Sequence, residues 1–308
     1  MAWYIARRLL LMIPVILGAT FIIYALVFLR PGDPVLNLVG DKPIGPDVKA
    51  AIEAEYNLDK PFLVQWLLFL KDALTFNFGI NFSGEPVAAE IARAFPVTAT
   101  LAVMALAIEA VLGIGLGVVA GLRRNGWFDS SMLLVTLVML AIPIFVVGFV
   151  FQLVFGVKLG WADVTVGGDW TIGSLLLPAI VLAIVDLAYT LRLTRTSVAE
   201  NLLADHVRTA RAKGLPNRLV VRNHVLRNSL VPVVTYLGVN LGTLMAGAVV
   251  TEGIFNVPGI GNLAFDAISR GENTTVVSVV TVMVLVYALM SLVVDLLYAL
   301  LDPRIRYA

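Results

Sequence analysis

The chain has no cysteine and only two histidines, His206 and His224. Disulfides, thiolate metal sites and cysteine nucleophiles are therefore excluded, although the absence does not fix a redox compartment. A histidine-rich metal centre or a His-based catalytic triad has almost nothing to draw on. Charge is also scarce: 14% of the 308 residues are Asp, Glu, Lys or Arg, with 21 acids against 22 bases. No compact block of either sign marks a nucleic-acid binder or a disordered tail. What remains is apolar. Hydrophobic residues make up 59% of the chain and the mean hydropathy is +0.93. That is more apolar surface than a soluble domain of this length can bury, so a bilayer must act as solvent.

A hydrocarbon core of about 30 Å requires roughly 20 apolar helical residues, because every backbone group has to be satisfied within the segment. Six stretches qualify: Leu9 to Leu29, Thr98 to Leu122, Met132 to Phe155, Ile172 to Leu193, Leu230 to Val250 and Val276 to Leu301. The run Phe62 to Leu70 is too short and carries Gln65, so it reads as the buried face of an extramembrane helix begun at Pro61. The first segment follows Arg7 and Arg8 but shows no Ala-x-Ala-like site before Arg30, and is expected to be retained. With a cytoplasmic N-terminus, 14 of the 22 basic residues fall inside and 8 outside. This positive-inside pattern puts both termini in the cytoplasm.

Two long non-spanning regions stand out. The outer one, between Arg30 and Val97, opens with Pro31-Gly32-Asp33-Pro34 and carries helical patterns from Pro46 and Pro61. Phe62, Trp66, Phe69 and Leu70 are expected to form a small core there, as a rigid cap or a docking surface. These elements divide the chain into residues 1–97, a helix plus extracytoplasmic insert, and residues 98–308, a five-helix core that includes the cytoplasmic loop 195–229. In that loop Asp205 is placed to cap a short helix through Lys213, Gly214 supplies the left-handed residue that ends it, and Pro216 starts a second helix at its first position. The first helix is expected to expose Ala210 and Ala212 among Arg208, Arg211 and Lys213. Those bases either enforce topology or meet a neighbouring protein.

Arg208-Thr209-Ala210-Arg211-Ala212-Lys213-Gly214 resembles the Glu-Ala-Ala-x3-Gly motif of binding-protein-dependent ABC importer permeases, and His224-Val225-Leu226-Arg227-Asn228 follows at the family's distance. Arg7-Arg8-Leu9-Leu10 with Pro14, Gly32-Asp33-Pro34, Pro86-Val87, Glu252-Gly253-Ile254-Phe255, Pro258-Gly259-Ile260-Gly261, Asp295-Leu296-Leu297-Tyr298 and Asp302-Pro303-Arg304-Ile305-Arg306 are similar to the B-type subunit of dipeptide and oligopeptide permeases. Two departures are His206, where the family usually has tyrosine, and Asn77-Phe78-Gly79 in place of a Gly-Asp-Leu-Gly-like turn.

The resemblance implies an all-α membrane protein with the six-helix type I ABC importer permease fold and an insert after helix 1, in a prokaryotic inner membrane. It implies pairing with a second, homologous permease, an extracytoplasmic substrate-binding protein, cytoplasmic ATPase subunits and surrounding membrane lipid, and no nucleic acid. Asp205, Arg208, Thr209, Ala210, Arg211, Ala212, Lys213 and Gly214 become the ATPase-coupling residues. No Gly-x4-Gly-Lys-Ser/Thr phosphate loop occurs in the sequence. ATP and Mg are then bound by the partner ATPases, with no catalytic residue, metal or cofactor expected in this chain.

Three acids lie within spans: Glu109, Asp186 and Asp295. A carboxylate at the bilayer centre costs at least about 2.5–3.5 kcal/mol on insertion scales, so Glu109 and Asp186 must face protein or water. Glu109 reads as structural, through interhelical hydrogen bonding to the partner permease; Asp186 is equally a pathway residue or one hydrogen-bonded in that way. Asp295 lies near the cytoplasmic end, within reach of arginine there. Asp186, Glu252, Pro258 and Gly259 are the pathway or gate candidates. Gly113, Gly115, Gly117 and Gly121, with Gly238, Gly242 and Gly247, permit close helix approach. An ion-coupled secondary transporter is the alternative function, and an intramembrane hydrolase a further one. The histidines lie outside the spans and no Gly-x-Ser-x-Gly or His-Glu-x-x-His motif occurs.

The basic asymmetry predicts that Asp129 and Asn217 are cytoplasmic while Lys49 and Asp163 are outside. Single-cysteine variants labelled with a membrane-impermeant reagent test this, since the native chain has no cysteine. Labelling of position 217 from outside intact cells overturns the orientation.

Overall fold

A computed structural model describes residues 2–29, 35, 45–55, 57 and 59–301. The Arg30–Pro34 turn, the Asp302–Arg306 segment and the side chain of Asp295 lie outside the described residues. Helices dominate the described chain, in the order α1 (Ala2–Phe28), α2 (Pro46–Glu55), α3 (Phe62–Leu74), α4 (Val87–Leu122), α5 (Trp127–Ala141), α6 (Ile144–Phe151), α7 (Leu176–Asn201), α8 (Asp205–Ala212), α9 (Asn217–Val220), α10 (Arg227–Gly247), α11 (Val249–Phe255), α12 (Ile260–Arg270) and α13 (Asn273–Leu301). A π-helical turn, Gln152–Lys158, prolongs α6, and another, Val221–Leu226, joins α9 to α10.

Among the described residues, five stretches are long and apolar enough to cross a membrane: Ala6–Phe28, Val87–Leu122, Leu176–Asn201, Asn217–Ala246 and Asn273–Val293. A sixth exists only as a bent pair. The expected span Met132 to Phe155 is broken after α5: Trp127–Ala141 and Ile144–Lys158, which is α6 with its π-helical extension, differ in direction by 99°. Pro143 explains the break. It has no N–H to continue the ladder, and its ring drives the preceding Ile142 out of the helical region, to φ −92° and ψ 124°. The fourth span also starts later than Ile172. The side chains of Thr171 and Ser174 exchange hydrogen bonds with each other's backbone N–H, at 3.1 and 2.9 Å, as a capping pair ahead of α7.

The chain forms two compact units, residues 1–98 with 258–308, and residues 99–257. In the first, α13 packs along α1. Tyr24 and Val27 of α1 meet Ala267, Val276 and Val277. Phe62, Trp66 and Phe69 of the insert close onto the same cluster, with ring pairs such as Phe21–Trp66 at 5.3 Å and Tyr24–Phe69 at 5.4 Å. These aromatics therefore do not make a core of their own, as the sequence suggested, but extend that of the first span. Phe78, in the Asn77-Phe78-Gly79 departure, is buried with Val87, Ile91, Ile260 and Val279. The backbone N–H of Ile260 donates to Thr98 Oγ1 at 2.8 Å, satisfying an open donor at the start of α12.

In the second unit α7 is central, packed against α5, α6 and α10. It also lies against the C-terminal half of α4. A Cβ at Gly113 would stand 2.7 Å from Thr190 Cγ2, one at Gly117 would stand 2.7 Å from the Leu191 carbonyl oxygen, and one at Gly121 would stand 2.8 Å from the Arg195 carbonyl oxygen. The four-residue spacing puts these glycines on one stripe. Gly115, off that stripe, has nothing within 4 Å. Asp129 of α5 holds Arg195 of α7 in a fork, Nε to Oδ1 at 2.8 Å and a terminal nitrogen to Oδ2 at 2.6 Å, and also accepts from the Asn125 N–H at 2.9 Å. Arg195, one of the bases counted on the cytoplasmic side, is half of a largely enclosed pair. Asp129 is only 2% exposed, so Arg124, which is exposed, is the better labelling site in that loop.

Gly117→Val should drive α4 off α7 and destabilise the folded protein by roughly 1–3 kcal/mol, as overpacking does elsewhere. Gly115→Ala should leave it unchanged. Thermal unfolding in detergent compares the two, and equal melting temperatures would show that the close approach does not matter.

Candidate functional site

The loop between α7 and α10 folds as helix, turn, helix. Two of its expected details differ. Asp205 does not cap α8: it is the first residue of that helix, after Ala204, where its charge complements the helix dipole. Pro216 is not the first residue of the second helix but its cap, at φ −61° and ψ 141°. Gly214 does adopt the left-handed conformation, φ 77°, and reverses the chain between α8 and α9.

The two faces of α8 are unlike. Val207 and Ala210 are buried with Val198, Val220 and Val225, and Val118, Leu202 and Leu226 pack around them. Ala210 is thus a core residue, against the expectation that it is exposed. Its small side chain lets α8 sit close to the ends of α7 and α4. The outward face carries Asp205, Arg208, Thr209, Arg211, Ala212 and Lys213, all exposed. Arg208 lies 3.7 Å from Asp205 in an exposed pair, which contributes little to stability. Arg211 and Lys213 complete a basic surface beside the turn.

His206 joins the two arms. Its Nε2 stands 3.1 Å from the His224 carbonyl oxygen and 3.1 Å from Asn228 Nδ2, while Asn228 Nδ2 donates to that carbonyl at 3.2 Å. The sequence flagged His206 as a departure and Asn228 as part of a motif, but nothing in it linked them. A second tie, from Ser229 Oγ to the Ser197 carbonyl oxygen at 3.1 Å, fixes the start of α10 to α7.

Within the span region, Glu109 of α4 is fully enclosed. One carboxylate oxygen accepts from Thr190 Oγ1 at 2.5 Å and the other from Asn240 Nδ2 at 2.8 Å. Asp186, half-buried, accepts from the Tyr236 hydroxyl at 3.4 Å. Three helices, α4, α7 and α10, are thereby tied through one polar cluster in which both carboxylates take part. Thr190 can reach Glu109 because Gly113 clears the space in front of it. The structural alternative had these carboxylates bond to a partner permease; the bonds seen here lie within the chain instead, to Thr190, Tyr236 and Asn240, of which Tyr236 and Asn240 were not foreseen.

The gate candidates lie at the end of α11 and just past it. Glu252 is fully buried; its carbonyl accepts from the Val257 N–H at 2.9 Å, and Asn256 turns left-handed, φ 48°, to end the helix. The loop after the π-helical turn is pinned to this end: Val166 N–H donates to the Phe255 carbonyl at 2.8 Å, and Gln152 Nε2 bridges the Val164 and Ile254 carbonyls at 2.7 and 3.2 Å. Pro258 and Gly259 belong to the first unit, where Gly259 precedes α12 in an extended conformation.

The family model of the binding-protein-dependent transport system inner membrane component matches residues 113–307. The dipeptide transport system permease protein of Alkalihalophilus pseudofirmus is 33% identical, with 99% of both chains covered. A di/tripeptide transport system permease protein of Pseudomonas aeruginosa is 38% identical over 99% of this chain and 98% of its own. A glutathione transport system permease protein of Pectobacterium atrosepticum is 36% identical over 99% of each. The matched region contains the whole α8–α9 loop and the carboxylates Asp186 and Glu252, and the relatives match over nearly their full length. The chain therefore belongs to the family of binding-protein-dependent transport system inner membrane components, as a membrane permease of an ABC importer.

Proposed function

We propose that this permease carries dipeptides and related short peptides, glutathione among them, into the cytoplasm, with both of its termini on the cytoplasmic side. The observation that carries the reading is end-to-end similarity to permeases named for those solutes. In this reading a second, homologous permease completes the pathway, an extracytoplasmic binding protein delivers the solute, and ATP and Mg are bound by separate cytoplasmic ATPase subunits. The exposed face of α8, Asp205 to Lys213, docks into the ATPase. Its motion reaches the spans because the opposite face, through Val207 and Ala210, is packed on the ends of α7 and α4. Asp186 lies beside the solute route, its half-buried carboxylate available to a peptide ammonium. Glu252, Pro258 and Gly259 shape the outer gate.

Gly214→Val tests the coupling. Its φ of 77° is a region a β-branched residue enters only with strain, while the space around it is open, with nothing within 4 Å of a Cβ. The substitution should therefore re-aim α8 without disturbing the spans. In complexes reconstituted with ATPase and binding protein, dipeptide uptake should fall at least about tenfold, the effect of ~1.4 kcal/mol, while the permease still inserts. Normal uptake with full substrate-stimulated ATP hydrolysis overturns the coupling role.

The gate is tested separately. Replacing Pro258 and Gly259 together should impair uptake while the complex still assembles and hydrolyses ATP. Unchanged uptake would make the segment a connector only.

A further inference from the structure

The first unit contains a cavity of about 150 Å³ that the transport reading does not use. Its walls are aromatic: Tyr24 and Phe28 at the end of the first span, Phe69 of the insert helix, and Phe78. Its polar lining comes from Asp72, Gln65, Asn57, Asn77 and Thr274, and Asp72 is the one charged residue among the residues that line it. Asp72 is half-buried. Its carboxylate takes part in no hydrogen bond or ion pair among the described residues; only its backbone carbonyl is engaged, by Thr75 and Asn77. Lys60, the basic group tied to the lining, is held by Asn57 Oδ1.

Position fixes the kind of ligand. Phe28 closes the span Ala6–Phe28, and Thr274 opens the span Asn273–Val293. The cavity thus lies where two spans leave the hydrocarbon, at the level of lipid headgroups. Aromatic rings suit that boundary because their bodies are apolar and their π faces attract cations. A partly desolvated carboxylate beside such rings favours a cation that can also donate hydrogen bonds. An anionic headgroup finds no lysine or arginine in the lining. A quaternary ammonium has no N–H to give Asp72. Carboxamide and hydroxyl donors of Asn77 and Thr274 suit a phosphate oxygen.

We propose that this cavity binds the phosphoethanolamine headgroup of a membrane phospholipid, with the primary ammonium on Asp72 among the aromatic rings. The bound lipid seats the insert helix α3 on the first and last spans. This rests on the span assignment alone and stands whether or not the solute is a peptide.

The test is native mass spectrometry of the full chain released from nanodiscs containing equal parts phosphatidylethanolamine, phosphatidylcholine and phosphatidylglycerol. The wild type should retain phosphatidylethanolamine preferentially. Asp72→Asn should weaken that retention about tenfold or more, the usual scale for losing a charged hydrogen bond, and Asp72→Glu should restore part of it. Glu53→Gln, on an exposed ion pair of α2, should not change it. Soluble phosphoethanolamine in excess should fail to displace the lipid; efficient displacement would make the ligand a free solute and overturn the lipid assignment. Equal retention of all three lipids, or undiminished preference in Asp72→Asn, overturns the site. Should Asp72→Asn fail to fold, Phe69→Leu and the wild-type headgroup preference still decide it.

Discussion

The second unit depends on how closely α4 approaches α7. Gly113, Gly117 and Gly121 bring the α4 backbone against Thr190, Leu191, Thr194, Arg195 and Val198, closer than any side chain on that stripe would allow. Between apolar helices in lipid there is no hydrophobic drive to associate, so dispersion contacts and hydrogen bonds must hold them. The glycine stripe supplies the contacts and opens the space for the bonds. Glu109 is tolerable inside the protein because Thr190 and Asn240 reach both of its oxygens. At the other end of the stripe, Val118 and Val198 form the floor on which α8 rests.

This geometry gives the α8–α9 loop a fixed seat. Ala210 and Val207 face inward, while Arg208, Arg211 and Lys213 face out. The basic face thus belongs to a helix whose reverse side is already packed on the ends of α7 and α4. Asp129 and Arg195 brace the same region by tying α5 to α7 with two parallel hydrogen bonds, a geometry only a guanidinium provides.

Much of this was legible in the sequence because its causes are local. Apolar runs of spanning length, the glycine spacing and the turn at Gly214 each follow from residue type and interval. The break at Pro143 was less so: the stretch Met132 to Phe155 is apolar but for Thr136 and Gln152, and hydropathy cannot register a missing N–H. Proline was the available signal, yet Pro14, Pro96 and Pro232 sit inside continuous helices, so proline alone does not decide. Ala210 was read as exposed because its sequence neighbours are basic; only the packing of Val198 and Val220 reveals the buried face. The links of His206 to Asn228 and of Glu109 to Asn240 span 22 and 131 residues, and no local pattern encodes them.

A ring nitrogen carries either a proton or a free lone pair, never both. His206 Nε2 sits between an amide that donates and a carbonyl that accepts, and it can satisfy only one of them. With Nε2 protonated, the ring and Asn228 both donate to the His224 oxygen; with Nε2 bare, the Asn228 amide donates to ring and carbonyl at once. The two wirings are tautomers of one neutral imidazole. Moving a single proton from one side of the ring to the other re-routes the link between the two arms of the loop without altering the charge of the surface they present.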